Sequence, residues 1–224
     1  MSSDAISNVI KNDEGRNVIL DDWYNSSLPD NLRLDDTIFI DTAYSFRRFR
    51  SLKINGFTID YGSGSYGQSN FIGGKNSQIK IGKYVVLQGT NIICNDLVEI
   101  SDHCMFSWGS VITDSWVSKN NYDIESRRNI LVASSKSGFR NFEFDSPDPV
   151  IIEENVWVGF KAIILPGVTL GKGCVVASNC VVDINVPPYA VIAGNPARII
   201  KYLDADDTED VKIEALKNIS GINS

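Results

Sequence analysis

Histidine occurs once in the 224 residues, at His103, and methionine only twice. One histidine cannot furnish the three imidazoles of a typical catalytic zinc site. No stretch of about 18 or more consecutive apolar residues is present, which argues against a membrane-spanning helix. The N-terminal M-S-S-D-A-I-S lacks a basic start followed by an apolar run, so it does not read as a secretory signal. A cytoplasmic location is the expectation, and the N-x-S sequons at Asn25 and Asn218 then carry little weight. Cations are also scarce: Lys plus Arg total 21 against 28 Asp plus Glu, a formal charge of −7. Such a surface repels nucleic acid and anionic membranes at long range, although a local basic patch can still hold a small anion. No C-x-x-C pair occurs among Cys94, Cys104, Cys174 and Cys180. In a reducing compartment these read as thiols.

What is abundant is a repeat. Branched aliphatics fall at Ile152, Val158, Ile164, Leu170, Val176 and Val182, always six apart. Four residues after each of the first five comes a small or β-branched residue: Val156, Ala162, Val168, Cys174 and Cys180. Glycines at 159, 167, 171 and 173 lie between the columns. A period of six fits neither a helix nor a heptad. It holds three two-residue pleats, so an extended chain would send all the large aliphatics to one side. Glycine and asparagine in the gaps permit corners. Three short strands and three corners make a triangular coil of about 18 residues, and successive coils stack at the strand spacing of roughly 4.8 Å. The second column must be small because it sits beside a corner, which explains Cys174 and Cys180 as buried hydrophobes. An ordinary β-sandwich would instead show turns every 8–12 residues or so and no fixed six-residue phase.

The same register extends upstream. Ile81, Leu87 and Ile93 are six apart, and after one inserted residue Ile100, Phe106 and Ile112 resume it, with Val85, Cys104 and Ser110 in the small column. Leu34, Ile38 and Ile40 put the first coil near residue 28. Distorted coils are expected across 41–78. The organisation read from this is an N-terminal extension over 1–27, a coil over 28–202 and a tail over 203–224. The repeat vanishes over 113–149, a loop carrying Trp116, Tyr122, Arg127, Arg128, Lys136 and Arg140. Loops of this length in compact domains are functional or disordered. The two readings are a flap over an active site or a neighbouring subunit, and a solvated excursion. After Pro187-Pro188 the coil ends. Thr208, with Glu209 and Asp210 behind it, is a candidate N-cap for a short helix to Asn218.

Three phrases carry a family resemblance: N-V-W-V-G-F at 155–160, I-L-P-G-V-T-L-G at 164–171 and V-P-P-Y-A-V-I-A-G-N-P-A-R at 186–198. Together they resemble the hexapeptide-repeat acyltransferases. The resemblance implies an all-β, single-stranded left-handed parallel β-helix, a homotrimer with active sites between subunits, and acyl transfer, usually acetyl, from coenzyme A to a hydroxyl or amine. The acceptor it implies is a sugar or another small polar molecule. Handedness rests on the resemblance alone, since parallel crossovers are otherwise right-handed. Carried over by position, the pantetheine arm would run past Trp157, Gly159, Ala177 and Ser178, and the phosphates would meet Arg198 and Lys201. A guanidinium can grip a phosphate bidentately. The other reading of Arg198 and Lys201 is a solvated basic edge. No metal is expected. Asp183 and Ile184 replace the Thr-Lys that many relatives carry before the proline turn.

The base is the open position. Attack on a thioester by a hydroxyl needs a proton acceptor, and the family base is a histidine. In S-W-G-S-V-I-T-D-S-W-V-S, from Ser107, Ser118 stands where relatives have that histidine, while Asp114 matches the preceding aspartate. Another branch uses an H-D-C phrase, met here only by Asn95-Asp96-Leu97. By register His103 points outward with Asp102 beside it. The candidates are therefore His103 as base with a carboxylate partner, Asp114 as base if burial raises its pKa, or a catalytically lapsed coil that binds without turnover. The β-helical carbonic anhydrases, which resemble this coil, are excluded by the histidine count.

Overall fold

A computed structural model describes residues 7–115, 124–137 and 147–204. The repeat is realised as a parallel β-helix with three faces. The first face stacks strands Leu32–Leu34, Phe57–Ile59, Gln78–Ile81, Leu97–Ile100, Val150–Ile152 and Thr169–Leu170. The second stacks Phe39–Ile40, Gly64–Tyr66, Val86–Gln88, Met105–Phe106, Trp157–Val158, Val175–Val176 and Ala190–Ala193. The third stacks Asn70–Gly73, Asn91–Cys94, Val111–Thr113, Ile163–Ile164 and Val181–Val182. The strands are very short because a corner follows each at once. Stability therefore comes from the rungs above and below rather than from local propensity.

The two columns read from the sequence line the inside. Ile152, Val158, Ile164, Leu170, Val176 and Val182 are all buried, as are Val156, Ala162, Val168, Cys174 and Cys180. Ile152 pairs with Leu170, so three repeats close one coil. Lower down the coils are longer and unequal: Ile59 pairs with Ile81, and Ile81 with Ile100.

Three expectations are corrected. Ile92, not Ile93, takes the inner column: it pairs with Phe71 and Ile112 and is fully buried, while Ile93 turns outward. The turn before this strand is one residue short, with five residues rather than six from Leu87 to Ile92, and the lost length is made up after it, before Ile100; a one-residue slip exchanges the two faces. Over 41–78 distortion is confined to the 3-10 turn Ala43–Phe46 and the loop after Phe49; from Phe57 the rungs are in register. That register is hidden in the sequence because Ser65 and Phe71 stand in the large column in place of branched aliphatics, and the bulky Phe57 stands in the second column, beside Ile59. Phe46, Phe49, Phe57 and Phe71 fill the wide lower end of the tube, with ring centroids 4.7–6.2 Å apart. Finally, the insertion holds a helix, Ile124–Ser137, on which Ile124, Leu131 and Val132 are exposed. The N-terminal segment forms a hairpin, Val9–Lys11 against Asn17–Ile19.

The insertion is closed at its root, where the Asp148 N–H donates to the Asp114 carbonyl at 2.8 Å. At the top the chain doubles back: Arg198–Tyr202 runs antiparallel along Ala190–Ala193, fully exposed. The expected helix over 208–218 lies outside the described residues.

Candidate active site

The corner between the first and second faces repeats one conformation. Gly62, Tyr84, His103, Asn155, Gly173 and Tyr189 all have φ between 55° and 67°, the left-handed region that turns a strand sharply. Successive corners are tied to the coil below: the His103 N–H donates to the Lys83 carbonyl, Asn155 to Asp102 and Gly173 to Glu154. His103 therefore occupies a standard corner site. Its imidazole stacks on Tyr84 at 5.2 Å and 16°, and Nδ1 lies 3.5 Å from Glu154 Oε1. Lys172 Nζ holds the other Glu154 oxygen at 3.3 Å. The carboxylate that reaches the imidazole is thus Glu154 from the coil above. Asp102 instead turns its Oδ1 to accept the Lys83 N–H at 2.8 Å.

Asp114 sits on another corner, between the third and first faces, and is fully buried. Its carboxylate accepts from the N–H groups of Asn95, Asp96 and Leu97 at 2.8–3.0 Å, from the Ser115 hydroxyl, and weakly from the Cys94 thiol at 3.4 Å. Those donors would otherwise be orphaned where the chain leaves the coil. Its acceptor positions are engaged by structure, and the first face separates it from His103. The structure does not bring the two together.

The cofactor candidates do share a surface. Trp157 stands on the second face, 46% exposed, between Met105 and Val175. Its indole N–H donates to Ser107 Oγ at 3.4 Å. Two residues on, the Gly159 N–H donates to the Val176 carbonyl, and a Cβ at Gly159 would lie 2.7 Å from the Ser178 nitrogen. Glycine is required there by the next rung, whatever lies outside. At the corner above, Ala177 is half-buried and Ser178 is exposed. Arg198 pairs in register with Ala193, which follows Ile192 just as Ala177 follows Val176. It stands about two rungs, or roughly 10 Å, above Ala177. Lys201 pairs with Val191, three rungs above Trp157. Both cations are exposed; Arg198 Nη1 donates to its neighbour's carbonyl, at Ala197. His103 precedes Met105, the partner of Trp157, by two residues, so it opens the same face. Asp183 and Ile184 are exposed at the top of the third corner. Among the described residues no group of three His, Cys, Asp or Glu is placed to hold a metal.

The corner ladder went unread because its members share a backbone conformation rather than a side chain. Asn155 and Gly173, one coil apart, were the available signal. Glu154, the partner of His103, had none, since it comes from the far side of the insertion.

This geometry is that of a hexapeptide-repeat coil. Residues 149–183 match the family model described as the hexapeptide repeat of succinyl-transferase. A stretch of 78 residues, 35% of the chain, is 44% identical to 2,3,4,5-tetrahydropyridine-2,6-dicarboxylate N-acetyltransferase of Staphylococcus aureus, covering 32% of that enzyme. The chain thus spans about a third of the length of the curated relatives it matches. Among solved structures, a hexapeptide-repeat-containing acetyltransferase of Vibrio cholerae complexed with acetyl coenzyme A is 25% identical. The overlap covers 71% of this chain and 74% of that one, with a TM-score of 0.51. An N-acyltransferase of Bacillus cereus in complex with dTDP and coenzyme A has the same fold at 16% identity, covering 87% and 89%, with a TM-score of 0.53. The chain carries the repeat and the fold of the hexapeptide-repeat acyltransferases.

Proposed function

We propose that the chain is a coenzyme-A-dependent acyltransferase, using acetyl-CoA as co-substrate and acting on a hydroxyl or amine of a small polar acceptor. The observation that carries this reading is the ledge on the second face. Trp157, Ala177 and Ser178 offer a narrow outer track, and Arg198 and Lys201 stand above it as the cations for the nucleotide phosphates. The likeness to the Vibrio cholerae structure, which holds acetyl coenzyme A, supports it. In the reaction the acceptor oxygen or nitrogen attacks the thioester carbonyl, backbone N–H groups stabilise the oxyanion, and the carbon–sulfur bond breaks. The acceptor proton passes to a base and then to the departing thiolate. His103 is the base candidate, since the Asp114 carboxylate is committed to its corner. The working unit is a homotrimer.

A second reading has its own support. His103 fills a corner site that Gly62, Asn155 and Gly173 fill elsewhere, so a coil that binds coenzyme A without turnover accounts for the same ledge. Calorimetry with coenzyme A tests both. The parent should bind, and Arg198→Ala should weaken binding about tenfold by removing a phosphate contact; a parent that does not bind ends the enzyme reading. With acetyl-CoA and a panel of hydroxyl and amine acceptors, His103→Ala should lose about 100-fold in kcat. Unchanged turnover removes His103, and absent turnover in a parent that binds favours the lapsed coil.

A further inference from the structure

A second surface, at the lower end of the third face, has the chemistry of a ligand site. Trp23 is 65% exposed, yet it is not loosely held. Asp22 fixes its loop by accepting from the Thr42 hydroxyl at 2.7 Å, the Ala43 N–H at 2.9 Å and the Tyr24 N–H at 3.1 Å. Trp23, Tyr24 and Tyr44 form a cluster with centroids 5.2–5.7 Å apart and planes 43–79° apart. Arg47 lies over Tyr44, its guanidinium carbon 3.8 Å from the ring centre. From there a polar ladder climbs the outer face. Arg47 Nη1 donates to Asn70 Oδ1 at 2.7 Å, and Asn70 Nδ2 donates to Asn91 Oδ1 at 3.0 Å.

We infer that this platform of Trp23, Tyr44, Arg47, Asn70 and Asn91 binds a saccharide. The rings offer faces on which the C–H side of a pyranose can lie, gaining dispersion contacts without demanding charge. The Asn91 amide N–H₂ and most of the guanidinium donors of Arg47 meet no partner among the described residues. Side-chain amides offer a donor and an acceptor side by side, which suits groups that are themselves both, namely vicinal hydroxyls. The tilted rings leave no parallel slot to sandwich a nucleobase. Pre-fixing by Asp22 and by the Arg47 stack lowers the ordering cost that a floppy exposed indole would impose. Asn91 is three rungs below Val181 on the same face, so the ladder points up toward the corner that bears Ser178. That the saccharide is the acyl acceptor rests on the acyltransferase reading; that it binds here does not.

Saturation-transfer NMR on the full chain, with a panel of neutral and acidic mono- and oligosaccharides and with uridine as the nucleobase probe, tests the inference. Transfer to at least one saccharide is expected. Trp23→Ala should weaken it about three- to tenfold, and Arg47→Lys, which keeps the charge but not the planar stack, should weaken it as well. Both variants should give the parent's circular dichroism spectrum and melting temperature, which shows they are folded. No transfer to any saccharide, preferential transfer to uridine, or full binding by both variants overturns the site. A parent that binds saccharide but not coenzyme A keeps the platform and removes its acceptor role.

Discussion

At the scale of the residue, burial decides what a reactive side chain can do. Asp114 is the clearest case. Its carboxylate closes the backbone N–H groups of Asn95, Asp96 and Leu97 into one buried knot. Removing it leaves several buried donors unpaired, each costing about 1–3 kcal/mol. Asp114→Ala should therefore lose roughly 3 kcal/mol or more in urea unfolding, and a variant as stable as the parent would show that water or another acceptor satisfies those groups. The thiols tell a similar story. Burial pushes Cys104 and Cys174 from 9.0 up to about 12, and Cys94 also far up, with Asp114 adding to the effect. Folded thiols keep protons that unfolded ones lose above pH 9, so the unfolded chain binds fewer protons there and stability falls as pH rises from about 9 through 12. Below pH 9 these groups contribute no slope. Melting temperatures between about pH 8.5 and 11 should drop less steeply in Cys174→Ala than in the parent. An identical slope would mean that the thiol titrates alike in the folded and unfolded chains.

At the scale of the element, the unit is the rung and its neighbours. The coil is left after Val111–Thr113 and resumed at Val150–Ile152, and the two ends of the insertion are tied by Asp114 and Asp148. Replacing residues 117–146 with a short Gly-Ser linker should remove the helical signal of Ile124–Ser137 from the circular dichroism spectrum and leave the melting temperature within a few degrees of the parent. A collapse of the melt would show that the insertion holds the rungs together. This modularity also explains what could be read in advance. Over 152–182 every coil has the same length and each strand puts one aliphatic in the large inward column, so the period announced the tube and its two columns. Lower down, longer and unequal coils, with columns of Phe and Ser, break the period while keeping the pairing. Strand pairing is a contact between coils, and spacing along the chain registers it only when the coils are equal. The candidate site was legible to the same extent. Trp157, Gly159, Ala177 and Ser178 lie inside the regular region and fall on one surface. Glu154 beside His103, and Asn95 beneath Asp114, are cross-coil neighbours that no local phrase reveals.

At the scale of the whole molecule, the second face is set apart. Its outward stripe carries Phe39 stacked on Tyr66 at 5.0 Å, then Met105 and Trp157, all exposed. The first face instead shows ion pairs, Arg33–Asp60 at 2.8 Å and Lys80–Glu99 at 3.0 Å. Contiguous exposed apolar side chains mark subunit contacts or ligand grooves. The proposed homotrimer predicts three times the 24.8 kDa chain mass in sedimentation equilibrium; if this stripe is its contact, Met105→Glu should shift the distribution toward single chains. A parent that sediments as one chain at all concentrations would remove the trimer from the proposed function.

The doubling back of Arg198–Tyr202 has a consequence of its own. A stack of parallel rungs is a template, and nothing in the repeat itself says where to stop. The last strand reverses direction and lies, studded with Arg198 and Lys201, along the outermost rung. An approaching chain finds no parallel edge to extend on that face, and it meets two positive charges first. That face of the tube is thereby closed to further parallel rungs, and end-to-end joining of separate copies along it is disfavoured.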